Sequence, residues 1–594
     1  LTSFRTFTEL VLDRAAELGT EDAFIFLPDD ANGSVPEHLS YAGLDHDARR
    51  IASWLQANGA AGGQVLLLYP SGTDFIKAFT GCLYAGSVAV PAPLPTEQGQ
   101  HFTRVSGILR DAEVRAVLTD SASAPEISAW LASEGLTDVK CLATDVADHG
   151  DASAYRVPDL TPEHLAFLQY TSGSTSDPKG VMVSHRNLLA NEAAIQNAAG
   201  TDGQTRFGGW LPFYHDMGLI GHILHPLYIG ASAVLLSPTS FLRRPHRWLK
   251  SIGDYGVTIG GGPNFAYDLC VRRVTDEQLA ELDLSTWVSA ANGAEPIRRE
   301  TIEAFTRRFA PAGFKPESFF PCYGMAETTL LVSGTPRDRR PAVRTVDVAA
   351  LEQGTLTDPV AEEPSRELVS SGVIHDFTVK IVDPDTRIER PEGSVGEIWV
   401  KGDSVASGYW KRPLTNVEIF DANITDGDGG EDAGGWLRTG DLGALEDGEL
   451  YVTGRLKELI IFSGRNLYPQ DVERAVQATD KALGAGAGAV FTVETDRERL
   501  VVVQEVRISA VDGDLRSLAT AVQSRIGQQL NVPAGNVLLV RPGTIRKTTS
   551  GKIQRTLMRK LFLQGELTPL YEVLEPGVRE IVADASGTAL AATA

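Results

Sequence analysis

The sequence predicts an α/β protein. It has a large N-terminal domain of parallel-type sheets with helices, a small β-barrel-like subdomain, and a smaller, mobile α+β C-terminal domain. Three observations carry this. Strand-length apolar runs alternate with helical patterns through the first two-thirds of the chain. After about residue 370 the pattern changes to short strands punctuated by turns. A charged, hinge-like stretch, Gly454-Arg455-Leu456-Lys457-Glu458, then opens a second α/β alternation.

Taken in order, QVLLLYP (64–70) reads as a buried strand and DFIKAFTGCLYAG (74–86) as the helix after it. VRAVLTD (114–120) is a strand followed by helical EISAWLASEG. AVLLSP (233–238) and VTIGGGP (257–263) are further strands. The apolar stretch from Gly218 to Pro238 holds His222, His225 and Pro226 and breaks at Gly230, so it predicts a buried helix and strand rather than a membrane span. FTVKIVDPDT, GEIWVKGDS and GELYVTGR suit a small barrel or antiparallel sheet. Beyond the hinge come LIIF, a turn at SGRN, a helix entered at Pro469, two strands and the helix LRSLATAVQSRIGQQLN. The expected division is residues 1–455, a smaller lid domain over 456–580, and a flexible tail over 581–594.

The chain has 594 residues, enough for about four domain-sized units. Hydrophobic residues make up 43% and charged residues 22%, which excludes collagen-like and wholly disordered classes. The net charge of −23 repels nucleic acid and anionic lipid heads, so neither nucleic acid nor stable membrane insertion is expected. Cys82, Cys141, Cys270 and Cys322 are too widely spaced for a zinc site, and predict buried thiols in a reducing cytoplasm. LTSFRTFTEL lacks the pattern of a signal peptide, and it opens at Leu1 without an initiator methionine, as a piece of a longer chain would.

LAFLQY (165–170) runs into Thr171-Ser172-Gly173-Ser174-Thr175-Ser176-Asp177-Pro178-Lys179-Gly180. Small residues let backbone N–H groups approach phosphate oxygens, hydroxyls donate further bonds, and Lys179 adds a cation. A Walker A loop would need Gly-Lys-Ser/Thr opening a helix. Here Pro178 precedes Lys179, and strand-like VMVSH follows.

The string YTSGSTSDPKGV closely resembles the phosphate loop of the adenylate-forming enzymes, a superfamily of acyl-CoA synthetases, nonribosomal-peptide adenylation domains and luciferases. Further similar motifs follow in the family's order: ANGAEPI (291–297), CYGMAETT (322–329), LRTGDLG (437–443), GRLKELI (454–460) and IRKTTSGKIQR (545–555). The resemblance implies ATP as co-substrate. Thr171, Ser172, Gly173, Ser174, Thr175 and Lys179 would hold its pyrophosphate end. Asn292, Gly293, Ala294, Tyr323, Gly324, Met325 and Ala326 would contact the adenine side, with Tyr323 stacking on the base or serving as a core aromatic. It implies Glu327 as the Mg²⁺ ligand, Asp441 as acceptor of the ribose hydroxyls, and Arg455 behind the ribose or phosphate. The family's usual Thr before the Glu is Ala326 here. Lys552 would bring a compact charge to the carboxylate and α-phosphate in the transition state. His215 either contacts the acyl carboxylate or is a core histidine.

WLPFYHDMGLIG (210–221) and the long segment after CYGMAETT resemble one branch, the fatty acyl-AMP ligases. That branch passes a long-chain acyl group from its adenylate to the 4′-phosphopantetheine thiol of an acyl carrier protein. Residues 337–370 are the candidate for the branch's extra segment. Their polar composition suits docking near the domain junction, where they would oppose the rotation that admits free coenzyme A. Leu, Ile and Phe around 211–224 fit an acyl tunnel or plain core packing. An acyl- or aryl-CoA synthetase and a silent adenylate-binding protein are the alternatives. Chain length of the acyl group, the carrier, the pathway and the oligomeric state are not legible in the sequence.

Overall fold

The computed structural model describes residues 4–29, 35–95, 100–146, 149–171, 178–360, 364–426, 430, 432, 434–462, 465–484, 486–530, 532–548 and 551–582. Two sheets organise the chain up to Arg455. The first has six strands in the order Lys140–Ala143, Ala116–Thr119, Gln64–Tyr69, Val88–Pro93, Leu165–Tyr170, Gly180–Ser184. All its pairs are parallel except the last, in which Gly180–Ser184 runs antiparallel to Leu165–Tyr170. The strands are almost wholly buried, as continuous apolar runs between helices require.

The second sheet has thirteen strands. Asp22–Leu27, Ser232–Leu236, Arg206–Gly209, Ile259–Gly262, Ser289–Asn292 and Phe319–Gly324 run parallel. Leu331–Gly334 then doubles back on Phe319–Gly324 and starts an antiparallel wing containing Thr378–Val382, Gly396–Lys401, Leu437–Glu446 and Glu449–Arg455. The turn-punctuated strands expected as a barrel-like unit are therefore continuous with the parallel sheet. Trp248, Tyr267, Trp287 and Phe305 fill the layer behind it, with Tyr267 edge-on to Phe305 at 5.1 Å.

The apolar stretch after Asp216 is a helical turn (Asp216–Leu219), a π-helical turn (Ile220–Leu224), a second turn (His225–Ile229) and the strand Ser232–Leu236. Among the described residues no helix is long and apolar enough to cross a membrane. Cys82 and Cys270 are buried and Cys141 and Cys322 half-buried, all four as free thiols. Past the hinge, Gly488–Glu494, Glu498–Glu505, Asn536–Val540 and Tyr571–Val573 form a four-stranded sheet with its own core around Val472, Val502, Val522 and Leu539.

Gly324, at the end of its strand, is where the chain must turn tightest. A Cβ there would sit 1.7 Å from the Leu330 carbonyl oxygen, while Met325 donates its N–H to that same oxygen at 3.0 Å. Gly324→Ala should therefore force the 325–330 loop apart and cost at least the ~1–3 kcal/mol typical of overpacking. Thermal denaturation checks this, and an unchanged midpoint would contradict it.

Candidate active site

The glycine-rich segment leaves one strand of the six-stranded sheet and returns by the next. Thr171 and Lys179 mark its ends, with Thr171 N–H bonded to the Lys179 carbonyl at 3.3 Å. Ser172, Gly173, Ser174 and Thr175 lie outside the described residues. The Lys179 ammonium sits 5.0 Å from the centre of the Tyr409 ring. The Tyr409 hydroxyl donates to Glu327 Oε1 at 2.7 Å. The returning strand and the Glu327 loop thus meet through one tyrosine.

The Glu327 loop is held from three sides. Asn191, on helix His185–Ala199, donates to the Leu331 carbonyl at 2.9 Å and accepts from Leu331 N–H at 3.0 Å. Ala406 N–H donates to the Glu327 carbonyl at 2.9 Å, and Thr329 Oγ1 to the Ser404 carbonyl at 2.7 Å. That last bond pins a β-branched residue at φ 68°, a strained conformation that only over-determined surroundings keep. Burial pushes the Glu327 carboxyl above its usual range, against the Tyr409 bond and Arg455, which both pull it down.

Asp441 stands at the centre. Its Oδ2 accepts from the Tyr323 hydroxyl at 2.9 Å, and its Oδ1 from Arg455 Nε at 2.8 Å. Glu397, buried on the neighbouring strand, fixes the turn that carries it. It accepts from Gly440 N–H at 3.1 Å, Trp399 Nε1 at 2.9 Å and Arg438 at 2.8 Å. The Tyr323 ring packs in a buried cluster with Val332, Ile398 and Leu437.

Lys552 reaches this cluster from the C-terminal unit. Its loop is a short hairpin: Thr548 N–H donates to the Lys552 carbonyl at 2.7 Å, and Lys552 N–H to Thr548 Oγ1 at 3.0 Å. Gly551, at φ 86°, brings the hairpin against Phe265 of the N-terminal unit, with the ring 3.6 Å from where a Cβ would be. Lys552 is half-buried as a residue, with its ammonium end desolvated among charged groups. Burial first, then repulsion from Arg455, pull its pKa below the usual lysine value; Asp216, Asp441 and Glu295 oppose this.

The fold thus brings Glu327, Asp441, Arg455 and Lys552 into one electrostatic cluster. His215 is half-buried at the N-cap of Asp216–Leu219, its ring 4.9 Å from that of Tyr214. Asn292 and Gly293 are buried, and Ala294 is exposed at φ 65°. Met325 is half-buried and Ala326 buried, both in the Glu327 loop. Sequence reasoning missed Asp216, Glu295, Glu397 and Tyr409. Asp216 follows His215 in the motif, and Glu295 lies inside ANGAEPI, where it accepts from Phe265 N–H at 2.6 Å. Glu397 and Tyr409 carry no local signal.

Residues 343–369 form a docked element. Val343–Asp347 and Ser365–Val369 pair as an antiparallel hairpin, and Asp347 caps helix Val348–Glu352 by accepting Ala350 N–H at 2.7 Å. Glu352 takes both Nε and Nη2 of Arg465 at 2.7 Å. Arg366 pairs with Asp471 at 2.8 Å and lies 5.0 Å over the Tyr468 ring. The hairpin therefore grips residues beyond the hinge at two ion pairs.

Lys179 at the loop's end, buried Glu327 and Asp441, and the desolvated Lys552 together form the candidate site. The pattern of the AMP-binding enzyme family matches residues 13–410. The medium-chain-fatty-acid–[acyl-carrier-protein] ligase JamA of Moorena producens is 41% identical over 576 residues, covering 95% of this chain and 96% of that protein. The long-chain-fatty-acid–AMP ligase FadD26 of Mycobacterium marinum is 38% identical, covering 93% and 96%. The fatty acyl-adenylate ligase of Legionella pneumophila, solved with acyl adenylate and pyrophosphate, superposes with a TM-score of 0.73 at 37% identity, covering 96% and 98%. The chain belongs to the AMP-binding enzyme family, in its fatty acyl-AMP ligase branch.

The lysine's environment gives a pH signature. If Lys552 acts as a cation in adenylation, desolvation lowers the pKa at which that charge is lost. kcat/KM for adenylation should therefore fall as pH rises through a value below that of a free lysine, about 10.4. Lys552→Arg cannot lose its charge in that window, so its residual kcat/KM should stay flat. A pH–rate profile of both proteins checks this; the same alkaline limb in Lys552→Arg would contradict it.

Proposed function

We propose that this protein activates a fatty acid with ATP, giving acyl-AMP and pyrophosphate, and passes the acyl group to the phosphopantetheine thiol of an acyl carrier protein. The observation that carries the proposal is Lys552, which the second unit delivers beside Asp441 and Arg455. The names of the full-length relatives supply the substrate class and acceptor.

In the first half-reaction a fatty carboxylate oxygen attacks the α-phosphorus. The bond from that phosphorus to the bridging oxygen breaks, and pyrophosphate leaves. Both reactants are anionic, so alignment and charge neutralisation dominate the barrier. Asp441 orients the ribose, Arg455 holds Asp441, and Lys552 offsets the negative charge that builds between carboxylate and phosphate. In the second half-reaction the thiol attacks the acyl carbon, its proton is released, and AMP leaves.

The residues fit Mg²⁺ held mainly by phosphate oxygens. Glu327 offers one buried carboxylate with Oε1 engaged by Tyr409, and Asp216 is close enough to influence its charge. Among the described residues no group of three or more ligating side chains forms a protein cage. When bound, the ion would neutralise charge on the phosphates; Glu327 would be its protein ligand.

The chain divides at Arg455 into the catalytic unit and a lid, and 343–369 restrain the lid through Glu352–Arg465 and Arg366–Asp471. A carrier protein adds contacts that free coenzyme A lacks, and each 1.4 kcal/mol of restraint changes a rate about tenfold. The protein works in the cytoplasm, where ATP and carrier proteins are found.

The test supplies ATP, Mg²⁺ and a fatty-acid ladder, alone, with coenzyme A, and with a phosphopantetheinylated carrier protein. Mass spectrometry should find acyl-AMP in the first two and acyl-carrier in the third. Efficient acyl-CoA formation would overturn the carrier assignment in favour of a CoA synthetase. Lys552→Ala should reduce acyl-AMP by at least about 10²-fold, as loss of a transition-state charge does; near-wild-type turnover would refute its role.

A further inference from the structure

Helix Gln100–Ala112 belongs to none of the motifs, yet one of its faces grips both ends of the phosphate segment. Positions 104, 107 and 111 share that face. Asp111 accepts from the Tyr170 hydroxyl at 2.7 Å and from Arg412 at 2.6 Å. A Cβ on Gly107 would touch the Pro178 ring at 3.3 Å, so the helix backbone lies directly on the segment's returning end. Arg104 meets the outgoing end, donating to the Thr171 carbonyl across a long 3.4 Å.

Asp111 and Gly107 are fully accounted for by these contacts, and Arg104 is not. Its guanidinium carries five N–H donors, and one weak bond to a carbonyl uses one of them. Among the described residues it has no carboxylate within ion-pair distance. Its charged neighbourhood is the Tyr214 phenol, whose backbone carbonyl is tied to Gln169 at 2.8 Å. Burial lowers its hold on its proton, and no described carboxylate offsets the half-buried cation. A half-buried guanidinium with donors to spare is suited to a multivalent oxyanion, which its planar fork binds in a bidentate manner. Arg104 thus lies at the Thr171 end of the segment whose residue types suit phosphate.

We propose that Arg104 binds the pyrophosphate portion of ATP and the pyrophosphate product, working with Thr171 and Lys179 at the two ends of the segment. The proposal rests on the adenylating activity proposed above.

The test uses the full chain with Arg104→Lys, which keeps the charge and loses the fork, and Arg104→Gln, which loses both. The first readout is fatty-acid-dependent ATP–pyrophosphate exchange. KM for pyrophosphate and for ATP should rise about ten- to a hundredfold in Arg104→Gln and less in Arg104→Lys. KM for the fatty acid should stay within about twofold of wild type. The second readout is calorimetric binding of magnesium pyrophosphate alone, which needs no catalysis and should weaken in the same order. An unchanged affinity for pyrophosphate in a folded Arg104→Lys or Arg104→Gln would overturn the proposal. So would a fall in kcat with both KM values unchanged, which is what a merely structural arginine gives. A wild type that binds pyrophosphate through Arg104 but shows no fatty-acid-dependent exchange would sink the proposed function and leave the anion site standing.

Discussion

The ion pair between Asp441 and Arg455 is the constraint on which the rest of the site depends. Asp441 is buried at the end of the TGD turn, and Arg455 is the last residue of the neighbouring strand. Register alone brings them opposite each other, since Asp441 pairs with Arg455 in the antiparallel ladder. Tyr323 closes the triangle from the strand that leads into the Glu327 loop. The carboxylate proposed to orient the ribose is thereby tied to the strand Phe319–Gly324 and to Arg455. Removing Arg455 would leave the buried Asp441 carboxylate with only the Tyr323 hydroxyl as a side-chain partner among the described residues.

Burial penalises the charge of Lys552, and Arg455, which already supplies a cation, repels it further. Asp216, Asp441 and Glu295 compensate in part, so the docked loop is held by contacts as much as by charge: Gly551 on Phe265 at one end, the pairs Glu352–Arg465 and Arg366–Asp471 at the other.

The catalytic motifs were legible because each packs its chemistry into a short string. Strand Leu165–Tyr170, the Glu327 loop and the TGD turn lie where the strings place them. What could not be read is long-range. Asn191 holds the Glu327 loop from about 140 residues away, and Glu397 fixes the TGD turn from another strand. Tyr409, linking Lys179 to Glu327, sits in an ordinary GYW string. The π-helical turn at Ile220–Leu224 was invisible for a different reason. An apolar run on both faces erases periodicity, and the clue lies in Gly209, whose missing side chain leaves room for His222 at 2.2 Å from a Cβ position. The antiparallel wing was recognised strand by strand, but its continuity with the parallel sheet comes from the reversal at Leu331–Gly334, which local patterns do not encode.

The central role of this pairing is tested most directly by a double-mutant cycle on Asp441 and Arg455, read as kcat/KM for ATP in acyl-AMP formation with Asp441→Ala, Arg455→Ala and the pair. If the two residues act as one unit, the double variant should lose little more than the worse single, a coupling within the ~0.5–3 kcal/mol range of contacting residues. Losses that simply add would show that ribose carboxylate and hinge arginine act independently, and would contradict the dependence of the site on their ion pair.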